Sequence, residues 1–261
     1  MAPQADPLTV IGHRSRQSTS TGFAVPVAVD TEGTNNDDGA TPIGFIARTS
    51  MRARRICLVA SGAVAGGVAA YLTVGRTPCL TWGATDDEAE QVLPGDALLA
   101  NPDVISTRAI TIDTPPSSIW PWLMQMGSGK GGVYTYDWIE NLFGLNMHSA
   151  DEVFPQFQDR KVGDVEQLGT SGPRMRVAIL EAERAMVLQS DDGNWVWAFC
   201  LCPLDQRRTR LVSRNRIKTP GAPLLMRIVQ TLVMEPGSLV MERRMLIGIK
   251  TRAESLATRI H

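Results

Sequence analysis

Hydrophobic and polar positions follow three different patterns along the chain. Residues 1–50, including TEGTNNDDGATP (31–42), have no apolar periodicity and are rich in Ser, Thr, Gly, Asn, Asp and Pro. Such a stretch cannot bury enough surface to offset the entropy of ordering and is expected to be disordered. Ile56–Val74 is the reverse, a run without a charge (ICLVASGAVAGGVAAYLTV). As a helix it measures about 28 Å, close to the hydrocarbon core of a bilayer. From Val104 onward, alternating and helix-spaced patterns follow each other closely, as in a folded domain.

Within 104–261 the pattern predicts these elements. VISTRAITID (104–113) alternates and is rich in β-branched residues, a strand. Asp113 or Thr114 can cap a helix whose first position suits Pro115. Ile119, Trp120, Leu123 and Met124 form its apolar face, and Pro121 limits it to about two turns. Tyr134–Leu145 reads as a second short helix with Trp138, Leu142 and Leu145 on one stripe.

Strand patterns follow at 162–168, 174–180, 184–189, 195–202 and 207–218, close enough for an antiparallel meander. Trp195, Trp197, Phe199 and Leu201 share one face of their strand. In 207–218, Arg208, Arg210, Arg214, Arg216 and Lys218 share one face, read as solvated, and Leu211, Ser213, Asn215 and Ile217 the other. Residues 223–258 are helical with a break at Glu235-Pro236-Gly237. Beyond it, Met245, Ile249, Ala253, Leu256 and Ile260 form an apolar stripe that lies on the sheet. Residues 76–103 read as a connecting arm with a short helix at 86–92, pinned by Trp82. The organisation is 1–50 (a flexible tail or a mis-set start, since Met51 opens a second one), 51–75, 76–103 and 104–261.

Arg52, Arg54 and Arg55 precede the apolar run, and acidic residues follow it. The positive-inside rule places the N-terminus in the cytoplasm and the C-terminal domain outside it. The run is either a single-pass anchor or a cleaved signal peptide, with Val68-Ala69-Ala70 as its small-residue site. The anchor is preferred.

A net charge of −1 gives no support to a nucleic-acid partner. Cys57, Cys79, Cys200 and Cys202 form neither a CxxC pair nor a Cys/His cluster, so no metal site is expected. Cys200 and Cys202 are read as buried apolar side chains, with a bridge to Cys79 open only in an oxidising compartment.

ITIDTPPSSIWPWL (110–123) resembles the opening of the SRPBCC superfamily (START/birch-pollen-allergen-like, polyketide cyclase/dehydrase-like): a strand, a proline-marked corner, and a helix bearing Ile-Trp. The stretch from Trp82 through YTYDWIENLFGLNMHSAD to MERRMLIGIK is similar to a bacterial group within it that often carries an N-terminal membrane segment. The resemblance implies an α+β helix-grip fold: a curved antiparallel sheet, two short helices and a long C-terminal helix, here preceded by one transmembrane helix. It also implies a cavity between sheet and helix able to hold an apolar molecule. Such folds serve carriers and enzymes alike, so the fold does not choose the activity.

The expected function is binding of a hydrophobic small molecule or lipid, membrane-tethered. The alternatives are a cyclase/dehydratase-type enzyme acting on an apolar or polyketide-like substrate, and an interaction module whose cavity is filled by its own side chains. Candidate ligand contacts are Tyr134, Tyr136, Trp138, His148, Trp195, Trp197, Phe199, Met245 and Ile249. His148, Tyr136 and Asp137 are the acid–base candidates, and no cofactor is expected. GSGKGG (127–132) follows a helix and lacks Ser/Thr after Lys130, so it reads as a turn rather than a phosphate loop.

Overall fold

The computed structural model describes residues 43–142, 144–169 and 172–260. The expected disordered stretch lies outside these except for 43–50, which are helical. The chain divides into two units, Met1–Ala53 and Arg54–His261; apart from the start of the first helix, the elements below belong to the second.

Helix α1 (Ile43–Ala70) runs through a π-helical turn (Tyr71–Gly75) into α2 (Arg76–Leu80). Then come α3 (Asp86–Glu90), β1 (Val104–Ile112), α4 (Pro116–Met124), α5 (Asp137–Leu142), β2 (Val165–Gln167), β3 (Arg174–Glu181), β4 (Ala185–Ser190), β5 (Trp195–Pro203) and β6 (Thr209–Ile217). α6 (Leu224–Val229) continues through a second π turn (Gln230–Met234) into α7 (Glu235–Ile260). The six strands form one antiparallel sheet in the order β1-β6-β5-β4-β3-β2. Short turns build the meander β3 to β6, and β1 closes its edge against β6. With α4, α5 and the long α7, this is an α+β helix-grip architecture.

The main core lies between the sheet's inner face and the helices. Ile112, Ile119, Trp122, Leu123, Met186, Phe199, Leu211, Met245, Leu246 and Ile249 pack there. One close approach fixes how α7 lies: a Cβ on Gly248 would stand 2.5 Å from the Tyr134 carbonyl oxygen. Only glycine lets the helix pass the 133–135 segment at this distance.

Four sequence expectations need correction. Pro115 is the N-cap and Pro116 the first helical residue, so α4 starts one position later than the pattern predicts. The chain does not break at Glu235-Pro236-Gly237, because Pro236 sits in the first turn of α7, where no N–H is needed. Cys202 is exposed near the strand end, whereas Cys79 and Cys200 are buried, and all four cysteines are free.

The fourth correction is the largest. The arginine face of β6 is not solvated. Arg214 is buried, pairs with Asp96 at 2.7 Å, and donates to the carbonyls of Glu88, Ala89 and Gln91. Arg210 pairs with Glu88 at 2.7 Å, and Arg216 donates to the Leu99 carbonyl. The arm of residues 82–100 is thereby clamped over the sheet's outer face. Beneath it Leu93, Ala109, Ala185, Cys200 and Val212 form a second small core. Thr85 and Glu88 close a reciprocal capping box on α3, which presents Glu88 to Arg210.

Candidate functional site

Between the inner face of the sheet and α7 lies a cavity of about 480 Å³. Strands β1, β4, β5 and β6, the segment 133–140, and the helical stretch 230–245 wall it. It is open space rather than a gap filled by the chain's own side chains, and its volume falls within the usual ligand-pocket range of about 300–1,000 Å³.

Trp195 and Trp197 form the aromatic wall, stacked with centroids 5.7 Å apart. Strand alternation places both on the inner face, and neither indole N–H is left unsatisfied. Trp197 Nε1 donates to Ser213 Oγ at 3.0 Å and Trp195 Nε1 to Asn215 Oδ1 at 2.8 Å. Ser213 and Asn215 in turn donate to the Glu242 carboxylate, at 2.5 and 3.2 Å. Glu242 also takes a hydrogen bond from Arg108, which is completely buried and donates to Ser238 Oγ and the Cys79 carbonyl as well. Burial pushes the Glu242 carboxyl up, while Arg108 and the Ser213 hydroxyl pull the other way.

A second buried carboxyl faces the cavity. Glu140 is buried on α5, and neither its Oε2 nor the neighbouring Thr135 Oγ1 has a hydrogen-bond partner of good geometry among the described residues. Burial pushes the Glu140 carboxyl up, and the charge of Asp137 adds to the shift. The Thr135 hydroxyl opposes it. A carboxyl raised this way is suited to hydrogen-bond a polar group on an otherwise apolar ligand.

Of the candidates read from the sequence, Trp195, Trp197 and Met245 line the cavity. Phe199 and Ile249 belong to the closed core beside it. Tyr134 is buried, donates to the Trp122 carbonyl at 2.9 Å and lies under the Arg252 guanidinium; burial pushes its phenol up. Tyr136 stacks with Arg244. Asp137 accepts two hydrogen bonds from Ser149, at 2.8 Å from the backbone N–H and 2.6 Å from the hydroxyl. His148 and Trp138 are exposed, Trp138 by 70%. None of these five lines the cavity. The predicted stripe of α5 is thus rotated: Trp138 and Leu142 face solvent, and Glu140 faces inward.

The sequence pattern leaves Glu140 on a solvated face, where the structure buries it, and gives Arg108 and Glu242 no role in the site. A helix of six residues is too short for periodicity to fix its buried face. Arg108 does carry a signal, a lone basic residue in register with the inward Ile110 and Ile112 of β1. The glycine loop is a turn, with Gly127 and Gly132 exchanging backbone hydrogen bonds, and Lys130 pairs with Glu166.

Among the described residues, two helices are long and apolar enough to cross a membrane, Ile56–Leu80 and Leu224–Arg259. No family model matches the chain, and no curated protein matches it. Solved structures similar to it include a polyketide-cyclase-like protein of Corynebacterium glutamicum, 17% identical over 59% of this chain and 87% of that one, with a TM-score of 0.29. A KanY protein is 12% identical over 58% and 97%, with a TM-score of 0.37. A Thermus thermophilus protein is 13% identical over 58% and 98%, with a TM-score of 0.32.

Proposed function

We propose that the domain binds a hydrophobic small molecule or lipid in the cavity between sheet and α7. On this reading the apolar helix at 56–74 tethers it to a membrane, with the domain on the extracytoplasmic side. The observation that carries the binding reading is the open cavity of about 480 Å³ with Trp195, Trp197 and Met245 in its wall. The ligand it suits is apolar along most of its length and carries one polar group, which Glu140 and Thr135 would meet.

The test uses the tryptophans as reporters. A brominated long-chain fatty alcohol titrated into the purified protein quenches Trp195 and Trp197 fluorescence saturably. Quenching falls by more than half in Trp195→Phe/Trp197→Phe. Unsaturable quenching, equal in both proteins, contradicts binding. Sidedness has its own test, resting on Arg52, Arg54 and Arg55: a C-terminal reporter active only in the cytoplasm refutes it.

One observation favours a second reading, acid–base chemistry of the cyclase/dehydratase type: the orphaned carboxyl oxygen of Glu140 faces the cavity. Turnover on this reading collapses in Glu140→Gln and survives His148→Ala.

A further inference from the structure

In one helical stretch the apolar residues face outward. Leu224, Leu225, Met226, Ile228, Val233 and Met234 are all exposed, Leu225 by 72%. A contiguous apolar face of this kind is unusual on a water-facing surface and marks an interaction site. From 224 to 240 the stretch contains two charged residues, Arg227 and Glu235. Glu235 is buried and neutralised, taking two hydrogen bonds from Arg76 at 2.8 Å and one from Tyr71 at 3.1 Å. The outward charges that remain nearby are the cations Arg227 and Lys218 and one carboxylate, Asp103, so they are positive on balance.

The same bonds to Glu235 say where this face sits. Tyr71 and Arg76 belong to the other exposed apolar helix, Ile56–Leu80. The two apolar helices are therefore joined side by side at the start of α7. The cavity opens at that junction, since Leu80, Gln230 and Met234 all border it. The stretch cannot cross a bilayer itself, because both ends are tied to the domain. Thr219 donates to Asp103 at 2.7 Å before it, and Glu242 holds Arg108 after it. An apolar helix face with basic flanks, held at both ends, fits the plane of a membrane interface.

We propose that the outward face of 224–240 rests in the surface of an anionic lipid bilayer beside the 56–74 helix, so that the mouth of the cavity opens among the lipids. The docking itself is independent of what the cavity holds. Only the role of the mouth as a loading route rests on the binding reading above.

The test uses the full chain with Cys57 and Cys202 replaced by Ser, reconstituted in vesicles of phosphatidylcholine and phosphatidylglycerol at three to one. An environment-sensitive fluorophore is placed at Leu225→Cys, at Val233→Cys, or at Leu204→Cys, an exposed control beyond the opposite end of β5. Nitroxide-labelled lipids are expected to quench the first two several-fold more than the control. Quenching equal to the control overturns the proposal. So does cross-linking of Leu225→Cys between two copies without lipid quenching, which assigns the face to a second copy. Extraction of a cavity ligand is scored on the same preparation. Lipid quenching without a ligand sinks the binding reading alone, and a ligand without quenching sinks the docking alone.

Discussion

Arg108 on β1 and Glu242 on α7 form an ion pair in the wall of the cavity, with the arginine completely shielded from water. Through Ser213 and Asn215 the same carboxylate anchors both cavity tryptophans. Glu242 therefore sets the geometry of the aromatic wall as well as neutralising a buried charge. Removing one partner leaves the other buried and uncompensated, at a cost of about 3–5 kcal/mol. Glu242→Ala is expected to lose that much in urea denaturation. The double variant Arg108→Met/Glu242→Leu is expected to recover most of it. A single variant within about 1 kcal/mol of wild type contradicts the assignment.

The clamp on the outer face makes a separate prediction. Arg214 holds Asp96 and three backbone carbonyls of the arm. Arg214→Ala is expected to cost about 3 kcal/mol and to speed amide exchange across 86–100 with little change in β3 and β4. Uniform exchange along the whole chain would show that the arm is not separately held.

The passage of α7 over Tyr134 is testable with one methyl group. Gly248→Ala places a Cβ 2.5 Å from a backbone carbonyl that cannot easily move. Overpacking of this kind costs about 1–3 kcal/mol. Gly237→Ala, in the same helix with nothing within 4 Å of the added Cβ, is expected to stabilise by up to about 1 kcal/mol from helix propensity. Equal effects of the two substitutions contradict the packing described.

Much of this fold is legible in the chain, and the reasons are physical. Strand alternation survives wherever one face meets the core, so 104–113, 195–202 and 207–218 are readable to within a few residues. The partner of the second face is not readable. Arg210, Arg214 and Arg216 look solvated because nothing local announces that Glu88 and Asp96, more than a hundred residues earlier, cover them. The site divides in the same way. Trp195, Trp197 and Met245 follow from periodicity, whereas Glu140 lies on a helix too short to have one. His148, an acid–base candidate by residue type alone, is exposed and does not line the cavity.

Glu140 predicts a pH dependence. Its folded-state value is raised by burial above the roughly 4.3 of an unfolded chain. The folded protein therefore holds this proton more tightly than the unfolded one. The stability that goes with it is fully present below about pH 4.3 and is lost as pH rises through the elevated folded value. Glu140→Gln removes that loss, so its stability relative to wild type is expected to be higher at pH 7 than at pH 4. Urea midpoints at the two pH values measure this, and a relative stability that is unchanged or reversed contradicts the buried placement of Glu140.

The central claim is that the cavity is a binding site for an apolar molecule. The direct measurement is mass spectrometry of an organic extract of the purified full-length protein, compared with Val104→Trp/Met241→Trp, which places two indoles at the cavity lining. An apolar species near one per chain, lost in the double variant while that protein remains folded by circular dichroism, is the predicted result. Equal amounts of the same species in both proteins, or none in either, would contradict it.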